Sequence, residues 1–158
     1  GYFQLDEKQK AIDAFRAGLE HVENSTNDNK TQLYVNMYAL MGDMYHALGQ
    51  DDKAFQAYDS CLVYKQNDAM VLNNYAYYLS LKKKDLQKAE EMSRQANEIE
   101  PDNATYLDTL AWVLFQQKKY GEAKQYMDRA VELMKEEDED MSDDIREHIE
   151  QINKKAKK

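Results

Sequence analysis

The chain has 158 residues with 30 acidic against 21 basic side chains, a net charge of −9. That balance argues against a nucleic-acid binder, which needs a clustered basic face to neutralise phosphates. Gly and Pro together number six, too few for the turns of an all-β fold, and the single Cys61 excludes an intramolecular disulfide or a thiolate metal cluster. No apolar run reaches the ~20 residues that span a bilayer, and no signal-peptide pattern opens the chain. With 42% apolar residues it can still bury a core, so a helical protein is expected.

In chain order, Tyr2-x2-Leu5-Asp6 reads as the last turn of one helix, with a partner from about Glu7 to Val22. The chain therefore reads as starting inside a repeat and as a fragment of a longer protein. A polar stretch, Glu23 to Lys30, follows as a loop or as an added turn of the next helix. From there three columns of small residues share a period of about 34: Gly42, Ala76 and Ala111; Ala54, Ala89 and Ala123; Cys61, Ala96 and Ala130. Large residues keep the beat. Tyr38, Leu72 and Leu107 precede the first small column by four, Met41, Tyr75 and Leu110 by one, and Tyr45, Leu79 and Leu114 follow it by three. Offsets of three and four form one helical stripe, and the small residues mark where a neighbouring helix comes close. Each repeat is a helix, a tight turn and a second helix. After the repeats, Glu136 to Asp140 breaks the period, and Ser142-Asp143-Asp144 caps a last helix from Ile145 to about Lys155. Its stripe of Ile145, Ile149 and Ile152 closes the final repeat, with the rest of that helix expected to face solvent.

These columns resemble the tetratricopeptide repeat, W-x2-L-G-x2-Y then A-x3-F then P. Tyr38-x2-Met41-Gly42-x2-Tyr45 leads to Ala54-x3-Tyr58, and Leu107-x2-Leu110-Ala111-x2-Leu114 leads to Ala123-x3-Met127. In the middle repeat Ser93 replaces the aromatic and Met92 fills its space, and the closing proline survives once, as Pro101. The resemblance covers roughly residues 1–134. It implies an all-α, right-handed solenoid of antiparallel helix pairs, with about 3.5 repeats and a C-terminal capping helix. The expected divisions are a partial repeat at 1–23, repeats at 30–67, 68–102 and 103–135, an acidic linker at 136–144, and a cap with a basic tail at 145–158.

The resemblance also implies a non-enzymatic scaffold whose first helices line a concave groove for a partner peptide or helix. By register that groove would show Asn36, Asp43 and His46, then Asn73 and Tyr77, then Asp108, Trp112 and Phe115. Aromatic anchors among a few orienting polar groups suit such a surface. This face has no Lys or Arg and carries Asp43 and Asp108, unlike the carboxylate clamps that take acidic chaperone tails. A neutral or basic protein or peptide is the expected partner. The alternative is an assembly module that spaces or self-associates, since a missing first helix would leave Ala11 and Phe15 uncovered.

Other chemistry has bland readings. His21 shares a column with Tyr64, Ile99 and Leu133 and is expected to pack, partly buried. His148 lacks the second histidine of H-E-x-x-H. Cys61 in a small-residue column reads as a buried, inert thiol. Glu136, Asp138, Asp140 and Glu147 fall at calcium-loop offsets, but Met141 stands where the loop needs Gly. No metal, cofactor or catalytic group is expected.

Overall fold

The computed structural model describes residues 2–23 and 30–157. Eight helices account for most of these residues: α1 (Tyr2–Glu23), α2 (Lys30–Ala47), α3 (Asp51–Tyr64), α4 (Ala69–Lys82), α5 (Leu86–Ile99), α6 (Ala104–Gln116), α7 (Tyr120–Glu136) and α8 (Asp143–Ala156). The fold is an all-α helical repeat, and none of these helices is long and apolar enough to cross a membrane. The chain forms two compact units, Gly1–Val71 and Leu72–Lys158. In the first, α2 packs against α3 and α1; in the second, α6 packs against α5, α7 and α8.

The small-residue columns lie where the helices need them. Ala54, Ala89, Ala123, Cys61, Ala96, Ala130, Ala76 and Ala111 are all fully buried. At Gly42 an added Cβ would stand 2.4 Å from the ring of Tyr58, itself fully buried. The large columns supply the apolar fill around them, with Leu79, Leu110, Leu114 and Met127 at most 1% exposed. Ser93 and Met92 are both buried where the aromatic of the pattern is missing. The Cys61 thiol donates to the Val35 carbonyl at 3.4 Å, and burial, with Asp68 nearby, pushes its pKa up to about 11. It stays a neutral packing group.

Three residues join the helices of each pair, and the same turn recurs. Gly49, Lys83 and Lys118 adopt positive φ of 75°, 53° and 66°. The following amide in each case bonds back five residues, Gln50 to Tyr45 at 2.8 Å, Lys84 to Leu79 at 3.1 Å and Lys119 to Leu114 at 2.9 Å. This is the Schellman closure, which satisfies carbonyls left open at a helix end. Asp138, at φ 52°, ends α7 in the same way, with Glu139 bonding back to Met134 at 3.0 Å. At the other helix ends, Asn103 accepts from the Tyr106 amide at 3.1 Å and Ser142 from that of Ile145 at 3.3 Å.

Between α5 and α7 the tie is ionic. Glu90 is buried and accepts from Arg94 and from Lys119, each at 2.9 Å. Arg94 reaches on to the Tyr126 hydroxyl at 3.0 Å and Glu122 at 3.1 Å. Burial alone would raise the Glu90 pKa, but hydrogen bonds from Lys119 and Arg94 outweigh it and hold the carboxyl below its ordinary range.

Two expectations fail. The break at Asp6–Glu7 does not exist, because α1 runs unbroken from Tyr2 to Glu23. Its early turns hold no Gly or Pro, and Lys10 bridges to Asp6 at 3.0 Å and Glu7 at 3.8 Å across the supposed junction. His21 is exposed rather than partly buried. Its column closes the second helix of a repeat, where cover runs out: Tyr64 and Ile99 are each 42% exposed, and only Leu133 is buried, in a cluster that includes Ile152 of α8. The surplus before Ala54 lies partly at residues 24–29, outside the described residues, and partly in α2, which has 18 residues against 14 in α4 and 13 in α6.

Two outcomes follow from the turn and the ionic tie. Lys118 holds a left-handed conformation that costs a side-chain-bearing residue roughly 1–2 kcal/mol. Lys118→Gly should therefore raise stability by about 1 kcal/mol in urea denaturation, and a loss would mean its side chain contributes more than its backbone costs. For Glu90 the folded pKa is depressed, so its contribution is present above the ordinary carboxylate range and lost as pH falls through the folded value. Stability measured from pH 6 downward should fall less steeply in Glu90→Gln, and equal slopes would sink the assignment.

Candidate functional site

In the second unit, three aromatic rings and one carboxylate come together on α4 and α6. Asp108, Trp112 and Phe115 lie three and four residues apart on α6, which sets them on one face of that helix. Phe115 stacks on Trp112 with ring centroids 4.7 Å apart, and Tyr120 abuts Phe115 at 5.4 Å. A ring from α8 completes the group. His148 lies flat on Trp112 at 4.2 Å, meets Tyr77 edge-on at 5.9 Å, and places Nδ1 2.9 Å from Oδ1 of Asp108.

This corrects the reading of α8. It does not turn everything but its isoleucines to solvent, since His148 is only 4% exposed and Ile152 is fully buried. Ile145, His148, Ile149 and Ile152 follow the spacing of one helical stripe, and the stripe meets the face of α6 as well as α7. Asp108, expected as a free charge on an open surface, is 6% exposed with His148 against it. Tyr77 is half-buried; burial, then Asp144 and Asp108, push its pKa up to about 12, so its hydroxyl stays protonated.

Two polar atoms on this face are orphaned. Among the described residues Nε1 of Trp112 and Oδ1 of Asn73 are buried with no hydrogen-bond partner. Asn73 is 5% exposed, and its Nδ2 makes only a long 3.5 Å contact with Asn74. A buried polar group without a partner costs about 1–3 kcal/mol, and such groups are uncommon in folded proteins.

The remaining predicted residues belong to the first unit. Asn36 is exposed and accepts from Gln32 at 2.8 Å. Asp43 accepts from the buried Tyr58 hydroxyl at 2.5 Å, and His46 Nδ1 is 2.8 Å from Asp51 Oδ1. Asp43 and His46 are thus already engaged within their own unit. Sequence reasoning missed a stacked tyrosine group there, in which Tyr64 lies 4.9 Å from Tyr34 and 6.1 Å from Tyr38. It also missed a cavity of about 210 Å³ between Arg16, Tyr45, Lys53 and Ser60, where Arg16 donates to the Tyr45 hydroxyl. Both depend on contacts between helices, so no local spacing announces them.

Helix pairs at a period of about 34 residues, with their buried small-residue columns, are the architecture of a tetratricopeptide-repeat domain. The family model for the cytochrome c-type biogenesis protein H TPR domain matches residues 29–141, and the chain belongs to that family. It is 24% identical over 127 residues to the TPR repeat-containing protein PA4667 of Pseudomonas aeruginosa, covering 80% of this chain and 20% of that protein. The chain spans about a fifth of the length of the curated relatives it matches. Among solved structures it is similar to BtubC of P. vanneervenii, with TM-score 0.78 and 17% identity over 96% of this chain and 67% of that one. It is also similar to the first TPR of Spaghetti (RPAP3) bound to the HSP90 peptide SRMEEVD, with TM-score 0.68 and 18% identity over 79% and 94% of the two chains.

The orphaned Asn73 carbonyl yields a stability test. Asn73→Leu replaces an unpartnered buried amide by an apolar group of similar size, so stability should rise by about 1 kcal/mol in chemical denaturation. A loss of that size would show that the amide is satisfied and that its place in the site is structural.

Proposed function

We propose that the chain is a non-enzymatic protein-interaction module whose ligand lies along the first-helix face of its repeats. The family and fold are generally those of interaction modules. The observation that carries the reading is the buried Asp108 carboxylate set beside stacked Trp112 and Phe115, with Tyr77 on the same face. Flat aromatic surface supplies anchor area at low entropic cost, and the carboxylate selects a nitrogen-bearing side chain. Asn73 adds an acceptor for a ligand backbone N–H, and Trp112 Nε1 a donor. Asn36, Asp43 and His46 are the equivalent face of the first unit.

Charge separates this ligand from the one in the RPAP3 structure. That peptide, SRMEEVD, ends in a run with three acidic residues. Asp108 would repel such a segment, so the ligand proposed here is neutral or basic. The fold neighbour supports peptide binding as a use of the architecture; the side chains on this face support a different charge.

Selection from a random peptide library displayed on phage should enrich segments carrying Arg, Lys or His beside apolar residues. Trp112→Ala should weaken the selected peptides by roughly thirtyfold or more, since a central aromatic anchor commonly contributes 2 kcal/mol. Gln125→Ala, exposed on α7, should leave binding unchanged. Enrichment of Asp and Glu instead, or full-strength binding by a folded Trp112→Ala, would defeat the proposal.

A further inference from the structure

The side chain that engages Asp108 and Trp112 comes from the chain itself, 40 residues along. His148 offers a ring nitrogen to the carboxylate and a flat face to the indole. A guanidinium, ammonium or imidazole from another protein would use the same two surfaces. The fit is nevertheless incomplete. With α8 in place, Trp112 Nε1 and Asn73 Oδ1 remain buried without partners. Ser93 Oγ and Asn97 Oδ1 on α5 are likewise unpartnered; the two on this face are those a ligand replacing α8 would reach.

The attachment of α8 is graded. Ile152 is fully buried in the cluster of α6 and α7, whereas Ile149, Ile145 and Met141 are only partly covered. Upstream, residues 137–140 are exposed and residues 139–142 lack regular structure. A tethered segment of this kind sits at millimolar effective concentration, so weak intrinsic affinity keeps it docked. A partner in free solution displaces it only by making bonds that α8 does not make.

We infer, building on the interaction-module reading above, that α8 is a displaceable intramolecular ligand in which His148 holds the place of a partner's cationic side chain. The partner segment this fits is an amphipathic helix. It carries Arg, Lys or His with apolar residues three before and four after, as Ile145 and Ile152 flank His148. Its polar groups reach Trp112 Nε1 and Asn73 Oδ1. The unliganded chain is therefore self-blocked at this face, and partners are read by how much better than α8 they satisfy it.

The test uses the full chain and a synthetic fluorescein-labelled peptide with the sequence of residues 142–157. His148→Glu sets a second carboxylate against Asp108 and should undock α8. Amide hydrogen exchange over Asp143–Ala156 should rise at least tenfold while α6 and α7 stay protected. The same variant should bind the peptide at least tenfold more tightly than the unaltered chain. A peptide carrying His148→Arg should bind it better still, and one carrying His148→Ala worse. Where His148→Glu fails to fold, His148→Ala serves the same readouts with at least a threefold change. Loss of protection in α6 and α7 together with α8 would make α8 part of the core and overturn the inference, as would a released α8 with no gain in peptide affinity. The two readings fail separately. Peptide exchange without any library-selected ligand keeps the latch and removes the partner, and the reverse keeps the groove and removes the latch.

Discussion

The burial of small residues at a fixed period is the constraint on which the rest depends. Gly42, Ala76 and Ala111, and again Ala54, Ala89 and Ala123, contribute at most a methyl group to the packed interior, and at Gly42 the ring of Tyr58 fills the space so left. Interiors of protein density leave no slack for an extra methylene at such points. Spacing of about 34 residues between these points fixes which residues stand on the opposite face of each first helix. Asp108, Trp112 and Phe115 share a face of α6 because Leu107, Leu110, Ala111 and Leu114 are committed to its buried one. The site is a by-product of the packing stripe, set by the same helical period.

That dependence explains what could be read in advance. Columns of small and large residues carry the repeat directly, so the helix pairs, the tight turns and the buried alanines all follow from local spacing. The aromatic and acidic members of the face were legible for the same reason. What was not legible is contact made across many residues. The pairing of Asp108 with His148 joins α6 to α8, and neither residue's neighbours point to the other. One signal did exist: His148 stands on the i, i+3, i+4, i+7 stripe of Ile145, Ile149 and Ile152, which marks it as inward-facing. Reading that stripe as isoleucines alone left the histidine on the wrong side. His21 erred in the opposite direction, because a column position implies burial only where another helix arrives to cover it.

Two polar groupings in the second unit are built differently. Glu90, Lys119, Arg94, Glu122 and Tyr126 form a fully partnered set that ties α5 to α7. The face of α4 and α6 instead combines one buried carboxylate, one imidazole and two orphaned polar atoms. Satisfied networks rigidify, while a buried polar group without a partner carries a desolvation cost. Ser93 Oγ and Asn97 Oδ1 on α5 are also buried without partners, so orphaned polar atoms are not confined to the face of α4 and α6.

The position of Ile152 carries a further consequence. It is fully buried in the cluster that includes Ala130, Leu133 and Met134 of α7. Removing a buried aliphatic side chain of this size commonly costs about 2–5 kcal/mol. α8 thus covers the flank of α7 with Ile152 while its His148 lies against α6. One helix therefore ties two surfaces together: a change that loosens His148 from Asp108 is felt at the α7 flank, because Ile152 lies one turn further along the same stripe.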